Sequence, residues 1–154
     1  MPRYRITMQQ SVSSLLRQTS IAYPAIANVS VNGNTTVLPA YNIDGNNYVR
    51  VRDVAMLLKD TPSGFDVQWN KDLQQVELKS FSPYTPNGKE NKPMSSERRT
   101  VQSLTEPTAA DGALHMIAAY NVDGYTYYKL RSLGDLCGFL VDWDGTSQTV
   151  TITA

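Results

Sequence analysis

The chain says nearly the same thing twice. AYNIDGNNYVRVRDVAMLL runs from Ala40 to Leu58, and AYNVDGYTYYKLRSLGDLC runs from Ala119 to Cys137. At an offset of 79 residues Gly33 falls on Gly112, Tyr41 on Tyr120, Asn42 on Asn121, Asp44 on Asp123 and Gly45 on Gly124. Tyr48, Arg52 and Leu57 likewise meet Tyr127, Arg131 and Leu136. The offset then drops to 74, and Phe65, Val67, Trp69, Gln74 and Val76 fall on Phe139, Val141, Trp143, Gln148 and Val150. Identities and apolar pattern agree on both sides of one deletion, which marks a duplicated structural unit.

Each copy carries the same local signals. Asp44-Gly45 and Asp123-Gly124 suit a tight hairpin whose central residues need positive φ. The following strand, Tyr48 to Val51 in the first copy, runs into a helix. Val51, Val54, Leu57 and Leu58 recur there at helical spacing, as do Leu130, Leu133, Leu136 and Cys137. Lys59-Asp60-Thr61-Pro62 ends the first helix. Phe65, Val67 and Trp69, and Phe139, Val141 and Trp143, alternate along a strand, so the spacing predicts that both tryptophans pack into the core. A polar turn then leads back to Val76-Glu77-Leu78 or Val150-Thr151-Ile152.

The expected fold class is therefore α+β: two tandem repeats, each a small antiparallel sheet of about four strands packed on one helix. The expected boundaries are an N-terminal extension over 1–27, repeat 1 over 28–80, a Pro/Ser-rich linker over 81–100, and repeat 2 over 101–154. Within the extension, Arg3 to Met8 alternates like an edge strand, and Val12, Leu15 and Leu16 suit a short helix. A short strand is expected near Val101 to Leu104. The two units either pack into one pseudo-symmetric body or stand apart on the linker. A first segment free to add a strand to a second chain leaves a homodimer open.

Composition narrows the function. With 154 residues, 41% of them hydrophobic, the chain can bury a core. Lys plus Arg and Asp plus Glu both count 14, giving no net charge. That argues against a nucleic-acid binder that neutralises phosphates and against a polybasic membrane anchor. No apolar run approaches the ~18 residues of a membrane span. The first residues, MPRYRITMQQSVSSLLRQTS, lack a continuous apolar stretch and do not read as a secretory signal.

The AYN-x-DG motif with its Tyr and Arg, the F-x-V-x-W strand and the closing V-x-L strand resemble the copper amine oxidase N-terminal-like domain, also called the stalk domain. The resemblance covers residues of about 29–79 and 101–153, and extends to Ser82-Pro83-Tyr84-Thr85-Pro86-Asn87-Gly88. It implies an accessory module of secreted or wall-attached bacterial proteins, a small antiparallel sheet wrapped against a helix. Copper and quinone chemistry belong to another domain of the parent oxidases. A copper site of that kind wants several imidazoles, and the one histidine here is His115. No metal and no cofactor is expected.

Several residues are candidates for binding. Arg52 and Arg131 open both helices, where the macrodipole disfavours a cation, so each wants a partner. Their forks could tie to Asp44 and Asp123 or to turn carbonyls, or together form an anion site. Tyr125, Tyr127 and Tyr128 make the second copy's strand the more aromatic one, and an exposed tyrosine can stack on a sugar or peptide. Asn46 and Asn47 stand where the second copy has Tyr125 and Thr126, and such disagreements are where selectivity would sit. Tyr41, Asp44, Gly45, Trp69, Tyr120, Asp123, Gly124 and Trp143 read as the structural motif of the repeat. Cys137 replaces Leu58 on the apolar stripe and reads as a buried hydrophobe, so no thiolate–imidazole pair with His115 is expected.

These readings point to a non-catalytic binding or spacer module of a bacterial surface protein, engaging cell-wall polysaccharide, another glycan or a protein. The alternative is a cytoplasmic or phage-encoded binder that sequesters a small anionic ligand, or blocks a host protein, through the groove between the repeats.

Overall fold

The computed structural model describes residues 19–154; the strand at Arg3 to Met8 and the helical turn at Val12 to Leu16 expected from the sequence lie outside them. The elements in chain order are β1 (Thr19–Val31), β2 (Asn34–Ile43), β3 (Asn46–Arg50), α1 (Val51–Leu57), β4 (Phe65–Asn70) and β5 (Gln75–Ser80). They continue with β6 (Arg99–Gln102), β7 (Thr108–Ala110), β8 (Ala113–His115), β9 (Ala119–Val122), β10 (Tyr125–Tyr128), α2 (Leu130–Cys137), β11 (Leu140–Asp144) and β12 (Thr149–Thr153). Four hairpins are closed by two-residue turns with both central φ positive: Asn32-Gly33, Asp44-Gly45, Asp111-Gly112 and Asp123-Gly124. Such turns match the twist of the flanking strands, and Asn or Asp followed by Gly tolerates the left-handed region best.

The α+β expectation does not hold. Among the described residues strand outweighs helix, 51% to 11%, with two sheets and two short helices rather than a sheet and helix in each repeat. The reason lies in the pairing. The C-terminal hairpin of each copy leaves its own unit and joins the first strand of the other. β12 runs parallel to β1, with Val29 opposite Val150 and Val31 opposite Ile152. β5 runs parallel to β7, with Glu77 opposite Ala109 and Leu78 opposite Ala110. Shifted by the repeat offsets, the two registers coincide.

Six strands, three from each copy, form a shared ring, and β8 pairs with β7 outside it. β1, β2, β3, β10 and β9 pair in that order, and β6 pairs with β1. The bridge from Ser103 to Tyr120, and the bond from the Leu104 amide to the Ala119 carbonyl at 2.8 Å, tie the end of β6 to β9. Six strands thus close on themselves. Where the copies meet, equivalent residues face each other: Ile21 pairs with Thr100 and Val49 with Tyr128. These self-matched pairs place a pseudo-twofold axis through the β1–β6 and β3–β10 junctions.

The ring interior follows the same symmetry. It holds Ala22, Tyr41, Ile43 and Tyr48 from one copy and Val101, Tyr120, Val122 and Tyr127 from the other. Tyr41 packs on Tyr127 with ring centroids 5.3 Å apart, and Tyr48 packs edge-on against Tyr120 at 5.0 Å. Tilted and edge-to-face contacts suit the ring quadrupoles. A larger core gathers the apolar faces of both helices and both C-terminal hairpins, with Phe65 stacked on its counterpart Phe139 at 6.2 Å. Leu58 and Cys137 are fully buried equivalents there, and burial pushes the Cys137 thiol up to about 12.

Residues 81–98 do not dangle. Ser82 donates its amide to the Gly64 carbonyl, Tyr84 and Glu90 are buried, and the Asn91 amide donates to Asp53 of α1 at 2.8 Å. The Pro/Ser-rich stretch is a strap docked over the first helix.

Candidate functional site

Two clefts occupy equivalent places on either side of the axis. Each is built from the helix start and C-terminal hairpin of one copy and the tip of the ring hairpin of the other. The wider cleft, about 790 Å³, joins Lys129, Arg131, Val141, Asp142, Trp143, Gln148 and Val150 of the second copy to Asn42, Gly45, Asn46 and Asn47 of the first. The narrower, about 240 Å³, joins Arg50, Arg52, Val67, Gln68, Trp69 and Val76 to Asn121, Gly124, Tyr125 and Thr126. Position by position the linings correspond, except that Ile26, Ala27, Asn28, Val49 and Gln148 belong to the wide cleft alone and the strap's Asn87 and Lys89 to the narrow one.

The tryptophans are the main correction to the sequence reading. Phe65 and Val67 are buried as alternation predicts, but Trp69 is 47% exposed and Trp143 60% exposed. Both lie opposite the valine that is second in the closing strand, Val76 or Val150, toward the hairpin tip. β5 meets β7 only at Glu77 and Leu78, so the outer part of that hairpin overhangs the sheet and carries its indole into the cleft. Alternation fixed the face correctly; it could not say where the neighbouring strand ends.

Arg52 and Arg131 do not share a site, because one lines each cleft. Arg52 donates through Nη1 to the Tyr84 hydroxyl at 3.2 Å, and Arg131 donates through Nη1 to the Val141 carbonyl at 3.0 Å. Neither holds a turn aspartate. Asp44 instead accepts from the Ser20 hydroxyl, and Asp123 pairs with Arg99, each at 2.9 Å; Ser20 and Arg99 are themselves equivalent positions. Asn46 and Asn47 line the wide cleft, where the Asn42 amide donates to Asn47 at 3.0 Å. Tyr125 lines the narrow one. Tyr127 and Tyr128 are buried and reach neither. Tyr127 accepts from Arg50 Nε at 2.9 Å, and Tyr128 shares a hydrogen bond with Thr108, burial pushing its phenol up to about 12.

The difference between the copies at Asn46 and Tyr125 has a physical partner. Arg50, 3% exposed, lies 4.1 Å from the centroid of the Tyr125 ring and donates to the Lys92 carbonyl at 2.6 Å. Its equivalent, Lys129, reaches over Tyr48 at 5.8 Å and has Asn46 rather than an aromatic beside it in its cleft. A guanidinium stacks well on an aromatic face. The larger pair fills the narrow cleft, and the smaller pair opens the wide one.

Sequence reasoning missed the group behind the narrow cleft. Arg50 sits 3.9 Å from Asp53, which is 1% exposed. Burial pushes the Asp53 carboxyl up, against the opposing pull of the Asn91 amide and Arg50. Burial also raises Glu90, yet bonds from the Tyr84 hydroxyl and the Asn87 and Gly88 amides outweigh it and leave that carboxyl below its ordinary value. Arg50 and Asp53 stand at i, i+3, a visible pair, but Glu90 sits in a stretch that reads as linker. Among the described residues no group of three His, Cys, Asp or Glu side chains could hold a metal ion.

No family model matches the chain, and no curated protein or solved structure matches it.

Proposed function

We propose that the chain is a non-catalytic binding module and that its wide cleft takes a glycan. The observation that carries this reading is the exposed Trp143 indole in a cleft also lined by Asn28, Asn42, Asn46, Asn47 and Gln148. A sugar offers an apolar C–H face for an aromatic ring, and hydroxyls for groups that both donate and accept. An indole beside a row of carboxamides meets both needs, and Asp142 and Arg131 add one strong acceptor and one strong donor. The cleft is open and preformed, as expected of a site that reads a polymer from its side. Work on a secreted or wall-attached protein rests on the resemblance carried by the AYN-x-DG, F-x-V-x-W repeat.

The test is titration of the full chain with neutral wall-type oligosaccharides and peptidoglycan fragments, followed by the tryptophan indole N–H resonances. A neutral oligosaccharide should move the Trp143 signal, and W143A should weaken its affinity at least about tenfold. A broad panel that leaves Trp143 unmoved would remove the wide cleft as a glycan site.

A further inference from the structure

We infer that the narrow cleft is a second binding site, selective for a sugar that carries a carboxylate or a phosphate. The inference shares with the proposed function only the premise that an exposed indole in such a cleft stacks on a sugar ring. Its charge argument is separate and comes from comparing equivalent positions.

The narrow cleft is lined by three cations, Arg50, Arg52 and Lys89, and by no carboxylate. In the wide cleft Lys129 and Arg131 are accompanied by Asp142, and the position equivalent to Asp142 in the narrow cleft is the neutral Gln68. Loss of the acid and gain of Lys89 both shift the charge in one direction. The whole chain is neutral, so this excess is local.

Two of the three cations are available to a ligand. Lys89 is exposed, and among the described residues no salt bridge forms to it or to Arg52. Arg52 spends Nη1 on a neutral phenol, and the carboxylate beyond that phenol, Glu90, already accepts from Tyr84, Asn87 and Gly88. Arg50 is committed to Tyr127 and the Lys92 carbonyl behind the Tyr125 ring. Its charge faces Asp53 at 3.9 Å, so the cations that act on a ligand are Arg52 and Lys89. Charge-assisted bonds to an anion are roughly twice as strong as neutral ones, and a planar guanidinium beside an ammonium suits a carboxylate or phosphate. Trp69, 47% exposed in the same cleft, supplies the stacking face, and Gln68, Asn87, Asn121 and Thr126 supply groups for hydroxyls. At about 240 Å³ the space suits one sugar unit better than a chain.

The chain's two tryptophans fall one in each cleft, so their indole resonances report the clefts separately once W69F and W143F have assigned them. The probes are a tetramer of galacturonic acid, the neutral galactose tetramer of equal length, and glucose 6-phosphate. At the Trp69 signal at least one anionic probe should bind about tenfold or more tightly than the neutral tetramer, and that preference should fall as salt is added. K89Q, at an exposed residue, should cut the preference by about tenfold. Response to the uronate alone or to the phosphate alone identifies the anion and supports the inference. Equal affinity for charged and neutral tetramers at Trp69, a preference insensitive to both salt and K89Q, or a Trp69 signal moved by no anionic probe would each overturn it. Neutral sugars moving Trp143 while anionic probes leave Trp69 still would sink this inference and spare the proposed function. The opposite pattern would do the reverse.

Discussion

Arg50 and Asp53 illustrate what a buried charged pair does to the residues around it. Asp53 accepts the Asn91 amide on Oδ1, whereas its Oδ2 has no hydrogen-bond partner and lies 3.9 Å from Arg50. Desolvation outweighs both attractions, so the carboxyl is raised: folding disfavours its charged form relative to the unfolded chain. D53N should therefore leave the protein at least as stable at neutral pH, since an amide keeps the acceptor for Asn91 without a charge to desolvate. D53A should lose about 2 kcal/mol, because it strands that amide. The sign with pH follows from linkage. Between the ordinary aspartate value and the raised folded value, folded protein binds a proton that the unfolded chain does not. This group's contribution therefore improves as pH falls through that window. Glu90 and Asp111 are shifted down and act oppositely, losing their contribution as pH falls. The difference between D53N and wild type isolates Asp53, and urea midpoints taken from about pH 7 down to pH 4 should show D53N's advantage shrinking. A constant or growing advantage would rule out the raised carboxyl.

At the level of elements, what the sequence made legible was local. Asp44-Gly45 and Asp123-Gly124 announced hairpins because the turn chemistry lies within two residues. The apolar spacing of Val51, Val54, Leu57 and Leu58, and of Leu130, Leu133, Leu136 and Cys137, announced two helices; all of these are buried except Leu57 and Leu136, which are half-buried. The exposure of Trp69 was not legible, since it depends on where β7, distant in sequence, stops pairing with β5; Trp143 is exposed although its partner Val150 pairs with Val29. The docking of the strap was also hidden, because Pro, Ser and Asn look alike whether or not their backbone groups find partners. One element-level difference between the copies yields a prediction. Gly134 of α2 stands where α1 has Ala55, and a Cβ at Gly134 would meet the Phe139 carbonyl oxygen at 2.6 Å and Val141 Cγ2 at 2.9 Å. The second helix therefore sits closer to its hairpin than an alanine allows. Alanine favours a helix over glycine by up to about 1 kcal/mol, but overpacking against backbone costs about 1–3 kcal/mol. G134A should lower the melting temperature; a rise would mean that the helix withdraws freely.

The exchange of hairpins decides how the whole molecule behaves. Each copy's last two strands complete the other copy's sheet, and both copies contribute four residues to the ring interior. Neither copy can bury its apolar faces alone, so unfolding should be one cooperative event. W69F and W143F each keep a single reporting indole, from different copies, and within each variant the fluorescence transition in urea should coincide with loss of circular dichroism. The repeat was plain in the sequence, but the exchange was not: a hairpin closing on its own unit and one closing on its twin require the same alternation and the same turn. Only the register of parallel pairing, Val31 with Ile152 and Leu78 with Ala110, distinguishes them. The pseudo-twofold carries a stronger consequence. Because Ile21 faces Thr100 and Val49 faces Tyr128 at equivalent positions, a chain of residues 1–98 meeting its own copy would place Ile21 on Ile21 and Val49 on Val49. Its β5 would then find, in the other copy, the first strand that β12 occupies in the intact protein. Such a half should be folded only as a dimer, with strand content that falls on dilution and a doubled mass in sedimentation. A half that remains folded as a monomer at high dilution would show that each copy can close on itself and that the exchanged pairing is not what holds the molecule together.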